Sequence, residues 1–269
     1  MPKKSFRISE IYDREWIKLI ITPYKLLPEV KRYLGGLNHQ EMDSEILQII
    51  EEVIQKSRPQ FLLKFFPINV SMESVKVCIE DSDICFKSMD LAKLLSESRE
   101  CGIVAITLGH EIDRQIALYN KTDLSRGIIF DAAASAYVEA VCDKRQQEVE
   151  QKYREKRLGF TFRFAPGYGD LNLSIQPILL NLLNASVKIG ISVSKYYTLY
   201  PRKSMTGIFG VVLQKNMQNQ IDFQQKSGNS SKYQRPKKTD HPKCHSCLNY
   251  KHCIYLSEGT YCEYRKRNL

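Results

Sequence analysis

The run Arg163-Phe-Ala-Pro-Gly-Tyr-Gly-Asp170 puts an arginine at the end of a predicted strand and two glycines around a tyrosine in the loop that follows. Glycine lets a loop take positive φ and lets a ligand approach the backbone. Arginine offers a planar fork for a carboxylate or a phosphate. Tyrosine adds a flat face with a polar tip. The chemistry of the run is that of an anion-binding loop. A tight turn beside a surface arginine is the plain alternative for so short a pattern.

The elements around this loop follow from hydrophobic period and capping residues. Asp43 to Ser57 carries Ile46, Ile49, Ile50, Val53 and Ile54 at helical spacing and stops before Pro59. Gln60 to Val70 reads as a strand. Val75 to Glu80 and Ile84 to Phe86 read as a hairpin around Asp81-Ser-Asp83. Ser88 is placed to cap a helix bearing Leu91, Leu94 and Leu95. Gly102 to Leu108 is a central strand, and Gly109 opens a helix with Ile112, Ile116 and Tyr119. Thr122 or Asp123 caps a long helix reaching about Arg157. Its first half is small and apolar (Ala132, Ala133, Ala136, Ala140), and its charged second half is expected to project into water. Gly159 to Phe164 is the strand leading into the loop. Ser174 caps a helix through Leu183, and Ser192 to Tyr200 with Ser204 to Leu213 reads as a hairpin turned by Pro201-Arg-Lys203. The body is α+β, several strands interspersed with long helices.

Arg163-Phe-Ala-Pro-Gly-Tyr-Gly169 resembles the signature loop of the activation domain of cobalamin (vitamin B12)-dependent methionine synthase, which binds S-adenosyl-L-methionine. The resemblance extends to Val138-Glu-Ala-Val-Cys-Asp143 and to the turn Tyr200-Pro-Arg-Lys-Ser-Met-Thr-Gly207. Val30-Lys-Arg-Tyr-Leu-Gly35 and Ala105-Ile-Thr-Leu-Gly109 look like the stand-alone bacterial members. Loop, helix and turn occur in the family's order, over roughly residues 28 to 213. The resemblance implies a mixed or antiparallel central sheet flanked by long helices. It implies that Arg163 holds the ligand carboxylate, that Glu139 is an acidic residue of the ligand site, and that Pro166, Gly167 and Gly169 shape a loop whose Tyr168 faces the corrin. Asp143 shares the helix face of Glu139.

The implied function is support of reductive methylation, the reactivation of cob(II)alamin in methionine biosynthesis. The cobalamin would sit on a separate methionine synthase or related corrinoid methyltransferase, with a low-potential electron donor. A non-enzymatic S-adenosylmethionine sensor or adaptor with a metal-binding tail is the second reading, and a metal-ribbon nucleic-acid binder the third. Nucleic acid is the less favoured partner. The sequence shows no Asp-x-His-x-x-Gly pattern of a cobalamin-binding module and no homocysteine or folate barrel, so the expectation is a component other than a complete methionine synthase. The family's ammonium-binding aspartate has no convincing counterpart. Asp13 and Asp43 are candidates by position alone, and Tyr196-Tyr197 precedes the Pro201 turn where the family's tyrosine pair follows its last hairpin.

Composition sets the outer limits. The 269 residues are 43% hydrophobic and 26% charged, ordinary values that exclude wholesale disorder and a fibrous protein. No run of eighteen apolar residues occurs, and no apolar stretch long enough for a signal peptide follows Met1-Pro-Lys-Lys-Ser-Phe-Arg7, so the expectation is a cytoplasmic protein with no membrane partner. Its eight cysteines are then expected to be thiols or metal ligands. The net charge is +10, and residues 215–269 hold 11 basic and 4 acidic residues, most of the surplus. The segments expected are an extension over 1–27, the body over 28–213, a polar linker over 214–243 and a small Cys-rich basic tail over 244–269. Cys244, Cys247, Cys253 and Cys262 lie within nineteen positions and are candidate ligands for zinc or an iron–sulfur cluster, with His241, His245 and His252 as alternative ligands. Unliganded thiols in a solubilising tail are the bland reading. Cys78, Cys85, Cys101 and Cys142 lie in apolar patterns and read as core. His110 is a weak catalytic candidate, since no partner stands near it in sequence.

Overall fold

The computed structural model describes residues 11–13, 21–35 and 40–213. The strands are β1 (Ile11–Asp13), β2 (Gln60–Ser71), β3 (Lys76–Ile79), β4 (Cys85–Lys87), β5 (Glu100–Thr107), β6 (Leu158–Phe160), β7 (Ser192–Val193), β8 (Leu199–Tyr200) and β9 (Ser204–Leu213). The helices are α1 (Pro23–Tyr33), α2 (Asp43–Lys56), α3 (Met89–Leu95), α4 (His110–Thr122), α5 (Leu124–Arg154), α6 (Gln176–Leu183) and α7 (Ala185–Ile189). Seven strands form an antiparallel sheet in the order β4-β3-β2-β5-β9-β6, with β1 sharing the outer edge of β2 with β3. β7 and β8 pair separately.

Alternation along the long strands fixes the layers. Phe61, Leu63 and Phe65 of β2 and Val104 and Ile106 of β5 face a core shared with α1, α2, α4 and α5. Leu62, Phe66 and Ile68 of β2 and Cys101, Ile103 and Ala105 of β5 face a second core under α3, α6 and α7. β5 and the partners on both its edges, β2 and β9, thus form the middle of the sandwich. Ala132, Ala133, Ala134 and Ala136 are buried and let α5 approach α1, α2 and the sheet closely.

The caps follow local chemistry. Ser88 accepts from the Leu91 amide, as expected, and of the two candidates for α5 it is Asp123 that caps, accepting from the Arg126 amide. Ser174 does not cap. Asn172 accepts from the Ser174 amide instead and starts a short 3-10 turn, Leu173–Ile175, that leads into α6. The charged half of α5 does not project freely. Val149 and Tyr153 are buried, and Tyr153 stacks on Phe65 at 5.1 Å and meets Phe160 at 4.9 Å. One apolar residue per turn suffices to hold that polar helix end against the sheet. The expected hairpin around Pro201 is also absent. β8 pairs with β7, while β9 pairs with β5 and β6. Nor do all the expected core cysteines stay thiols. Cys101 and Cys142 are buried thiols, but Cys78 and Cys85 form a disulfide on an exposed hairpin face, because the β3–β4 register sets them opposite each other.

Gly102 of β5 lies beneath the Phe209 ring of β9, where an added Cβ would overlap the ring. Phe209 in turn packs on Phe160 at 4.6 Å and Phe65 at 6.0 Å. Gly102→Ala should therefore lower stability by about 1–3 kcal/mol through overpacking. Urea unfolding of the two proteins checks it, with a lower midpoint at an unchanged slope expected.

Candidate functional site

Arg163 reaches its position through a fault in the sheet. Phe160 pairs with Val211, but Phe164 bridges Ile208, so one extra residue stands on the β6 side. Phe160 and Phe164 are four residues apart and should share a face, yet Phe160 enters the α5 core and Phe164 the α6 core. Such a bulge bends a strand and re-aims its side chains. Here it sends Arg163 across β9 on the side of α5. Gly207 makes the crossing passable, since a Cβ there would strike Cγ and Cδ of Arg163.

The guanidinium ends against one face of α5. Nη2 donates to Asp143 Oδ1 at 2.9 Å and lies 3.6 Å from Glu139 Oε2, and Nη1 donates to Gln146 Oε1 at 3.1 Å. The Arg163 side chain is only 9% exposed. Burial disfavours its charge, but Cys142, Asp143 and Glu139 beside it outweigh that cost and hold the guanidinium above the ordinary arginine value. Hydrogen bonds to Asp143 and Gln146 use two of its five N–H donors. Near Glu139 lies Tyr33 at the end of α1. Although Tyr33 is 41% exposed, partial desolvation first, then the Glu139 charge, pushes its phenol up to about 12.

The acidic face extends further than the spacing of Glu139 and Asp143 had suggested. Asp131, Ser135, Glu139 and Asp143 follow one another at four-residue intervals on α5. Lys203 meets the other end of this row, with Nζ 2.9 Å from Asp131 Oδ2 and donating to Ser135 Oγ at 2.7 Å. Asp113 of α4 accepts from the Arg202 amide at 2.7 Å. Together these contacts draw the Pro201 turn onto α4 and α5, leaving Tyr200 exposed. Sequence reasoning assigned no role to Lys203, Asp131, Ser135, Gly207 or Tyr33. The four-residue recurrence from Asp131 was the one legible signal among them.

The loop after Arg163 is compact. The Gly167 amide donates to Leu171 O at 2.7 Å, and the Tyr168 amide to Ala165 O at 3.0 Å. Gly167 has φ +88° and Gly169 φ +50°, values that favour glycine. Pro166 is buried, and Tyr168 is 51% exposed with its ring nearly perpendicular to that of Phe164, centroids 6.2 Å apart. Asp170 bolts the loop to α3. It accepts from the Ser88 hydroxyl, from the Met89 amide at 2.7 Å and from the Asp90 amide at 3.3 Å. The Ser88 hydrogen bond, followed by those two amides, lowers the Asp170 carboxyl below its ordinary value.

Arg163, Glu139 and Asp143 are therefore in one place, with the Pro166–Gly169 loop following directly on Arg163. Asp43 is engaged elsewhere in an ion pair with the buried Lys31, and Asp13 sits on β1 opposite Phe61. Tyr196 and Tyr197 are exposed in the β7–β8 connection. His110 is exposed on the first turn of α4. The linker and the cysteines Cys244, Cys247, Cys253 and Cys262 lie outside the described residues. Among those described, no group of three or more His, Cys, Asp or Glu is placed to hold a metal ion, and no helix is long and apolar enough to cross a membrane.

A solved structure that superposes on the chain is the MetH reactivation domain bound to AdoHcy. The match has a TM-score of 0.56, covers 96% of this chain and 92% of that one, and carries 14% sequence identity. The chain has the fold of that domain. No family model and no curated protein matches the sequence. The shared fold is mixed α/β with an antiparallel sheet, as the α+β expectation had it.

The Asp170 joint is testable by pH. Asp170→Asn should cost about 1 kcal/mol near neutral pH, as loss of a charged cap does. Because the folded-state pKa is lowered, that contribution is complete above the ordinary value of 3.8 and is lost as pH falls through the lower folded value. Thermal unfolding of both proteins from pH 7 to 2.5 should show a gap of about 2–4 °C that closes at the acid end.

Proposed function

We propose that this protein binds S-adenosylmethionine and supports reductive methylation of cob(II)alamin carried by a separate methionine synthase or related corrinoid methyltransferase. What carries the reading is the buried arginine re-aimed onto Glu139 and Asp143, in a chain with the fold of a domain solved with AdoHcy. S-adenosylmethionine offers a carboxylate, an ammonium and a sulfonium. Arg163 suits the carboxylate, which its planar fork grips in two places. Glu139 and Asp143 suit the cationic centres, since a carboxylate stabilises an adjacent positive charge most where water is excluded.

In this mechanism the chain supplies position. The methyl passes from the sulfonium to reduced cobalt presented by the partner, with an electron from a low-potential donor, and S-adenosylhomocysteine remains. Holding the donor at the right distance and angle replaces a chance encounter, and no side chain of this protein needs to act as acid or base. Tyr168 on the loop and Tyr200 at the Pro201 turn stand exposed and suit contact with a flat macrocycle. Docking to a cobalamin carrier needs a contact surface, and the basic segment over 215–269 suits an acidic partner.

Calorimetry with S-adenosylmethionine tests the ligand. Arg163→Ala should weaken binding by about 1.5–3 kcal/mol, roughly ten- to hundredfold, as removal of a charge-assisted bond does. Wild-type protein that ignores the ligand at millimolar concentration would sink the reading. Partner protein held as cob(II)alamin with a low-potential reductant and S-adenosylmethionine should yield methylcobalamin only when this protein is present. Tight ligand binding with no methyl transfer would leave a sensor or adaptor as the function.

For the tail we propose a metal site formed by Cys244, Cys247, Cys253 and Cys262. Anaerobically purified protein should carry zinc, or iron with sulfide, lost on changing Cys244 and Cys247 to serine. Metal below trace in the wild type, by elemental analysis, would make these residues ordinary thiols.

A further inference from the structure

Cys78 and Cys85 are bridged across β3 and β4. One step nearer the turn, the Ile79 amide donates to Ile84 O at 2.9 Å. Alternation then makes Cys78 and Cys85 a non-hydrogen-bonded pair, the kind whose side chains stand closest, and their Cα atoms are 4.0 Å apart. The hairpin does not need the bridge to close. The Ser82 hydroxyl donates to Ile79 O at 3.0 Å and accepts from the Ile84 amide at 3.2 Å. Val77 and Phe86, on the opposite face, are buried in the core. The disulfide lies on the outer face, with Cys85 exposed and Cys78 half-buried.

Its surroundings are those of a contact site. Two residues along the same face, the exposed Lys76 and Lys87 stand directly opposite each other. Like charges so placed cost stability, and packing within the hairpin does not account for them. Cations near a cysteine favour the thiolate, the species that exchanges. The turn residues Glu80, Asp81 and Asp83 flank the bridge on its other side, so a docking partner meets both signs of charge across it.

The hairpin also leads directly to the ligand loop. β4 ends at Lys87, and Ser88, Met89 and Asp90 are the donors that hold Asp170. Three positions separate Cys85 from that joint. β4 is a three-residue edge strand with pairing on one side only. Beyond Phe86 in the core, one ladder and the turn hold it, so it opens more readily than the central strands, and a cross-link adds to its closure.

We propose that Cys78–Cys85 is a thiol–disulfide exchange site for a dithiol protein, and that its state sets how firmly the loop over 163–170 is held. A thiolate of the partner attacks one sulfur of the bridge to form a mixed disulfide, releasing the other cysteine as a thiolate. The partner's second thiol then resolves the mixed disulfide. Two electrons and two protons pass to the pair, leaving two thiols here and a disulfide on the partner. Bridged, the pair pins β4 and keeps Ser88 under Asp170. Reduced, β4 opens more often and the joint opens with it.

The test uses the full chain, equilibrated with oxidised and reduced dithiothreitol in varied ratio, and does not depend on which ligand the loop serves. Alkylation followed by peptide mass spectrometry reports Cys78 and Cys85, and near-ultraviolet circular dichroism reports whether the core stays folded. Both cysteines should titrate together while the core is intact and Cys101 stays protected. Hydrogen exchange at the Met89 and Asp90 amides should quicken by about tenfold or more on reduction, as a local opening requires. Cys85→Ser should show the faster exchange under both conditions, and the wild type alone carries the test if that variant does not fold. Reduction that occurs only with global unfolding, thiols that never oxidise, or equal exchange in the two states would each overturn the proposal.

Discussion

A guanidinium carried between a sheet and a helix must find carboxylates there, because an unpaired charge is costly away from water. Arg163 meets that requirement on α5, and much of the local architecture follows. The bulge between Phe160 and Phe164 exists where the strand must turn this side chain toward the helix. Gly207 is bare where the side chain crosses. Glu139 and Asp143 fall on the helix face that receives it. A side chain at 207, or a strand without the extra residue, would leave those carboxylates facing one another without their cation.

The loop beyond Arg163 is set by restraints at both ends. One end is the buried arginine, and the other is Asp170 on the first amides of α3. Between them the chain turns through two glycines at positive φ and presents Tyr168 outward. The Pro201 turn is pinned separately, by Lys203 on Asp131 and Ser135 and by Asp113 on the Arg202 amide. Helix α5 therefore receives both segments. A long helix packed on the sheet through small residues is a stiff base, and a site built on it keeps its distances.

Several features were legible because they are local. The caps at Ser88 and Asp123 need a side chain and an amide three residues on, and both formed. Helical spacing located α2 and α4, and the Asp81 turn located the β3–β4 hairpin. Misreadings came where a local pattern met a distant competitor. Ser192–Tyr200 and Ser204–Leu213 looked like neighbours, but β5 and β6 occupy the edges of β9, and Lys203 is drawn to α5. The polar end of α5 looked solvated until Tyr153 found Phe65, a residue far away in the chain. The outer cysteine pair was masked by an apolar context that belongs to its neighbours Val77 and Phe86.

By itself the sequence determined the types of most long elements and the α+β class, since helical and strand periods and turn residues act over a few positions, while α1 and α7 went unread. The family resemblance singled out Arg163 and Glu139, with Asp143 one turn on, and the structure brings these three side chains together. Only the tertiary structure decided that Arg163 crosses β9 at Gly207, that Lys203 closes the acidic row of α5, that Ser88 and Asp170 join, and that Cys78 faces Cys85 across a solvent-exposed face. Each of those depends on register or packing between segments. A shift of one residue in a strand reverses every side chain on it, and no local pattern in the bulged strand announces that shift.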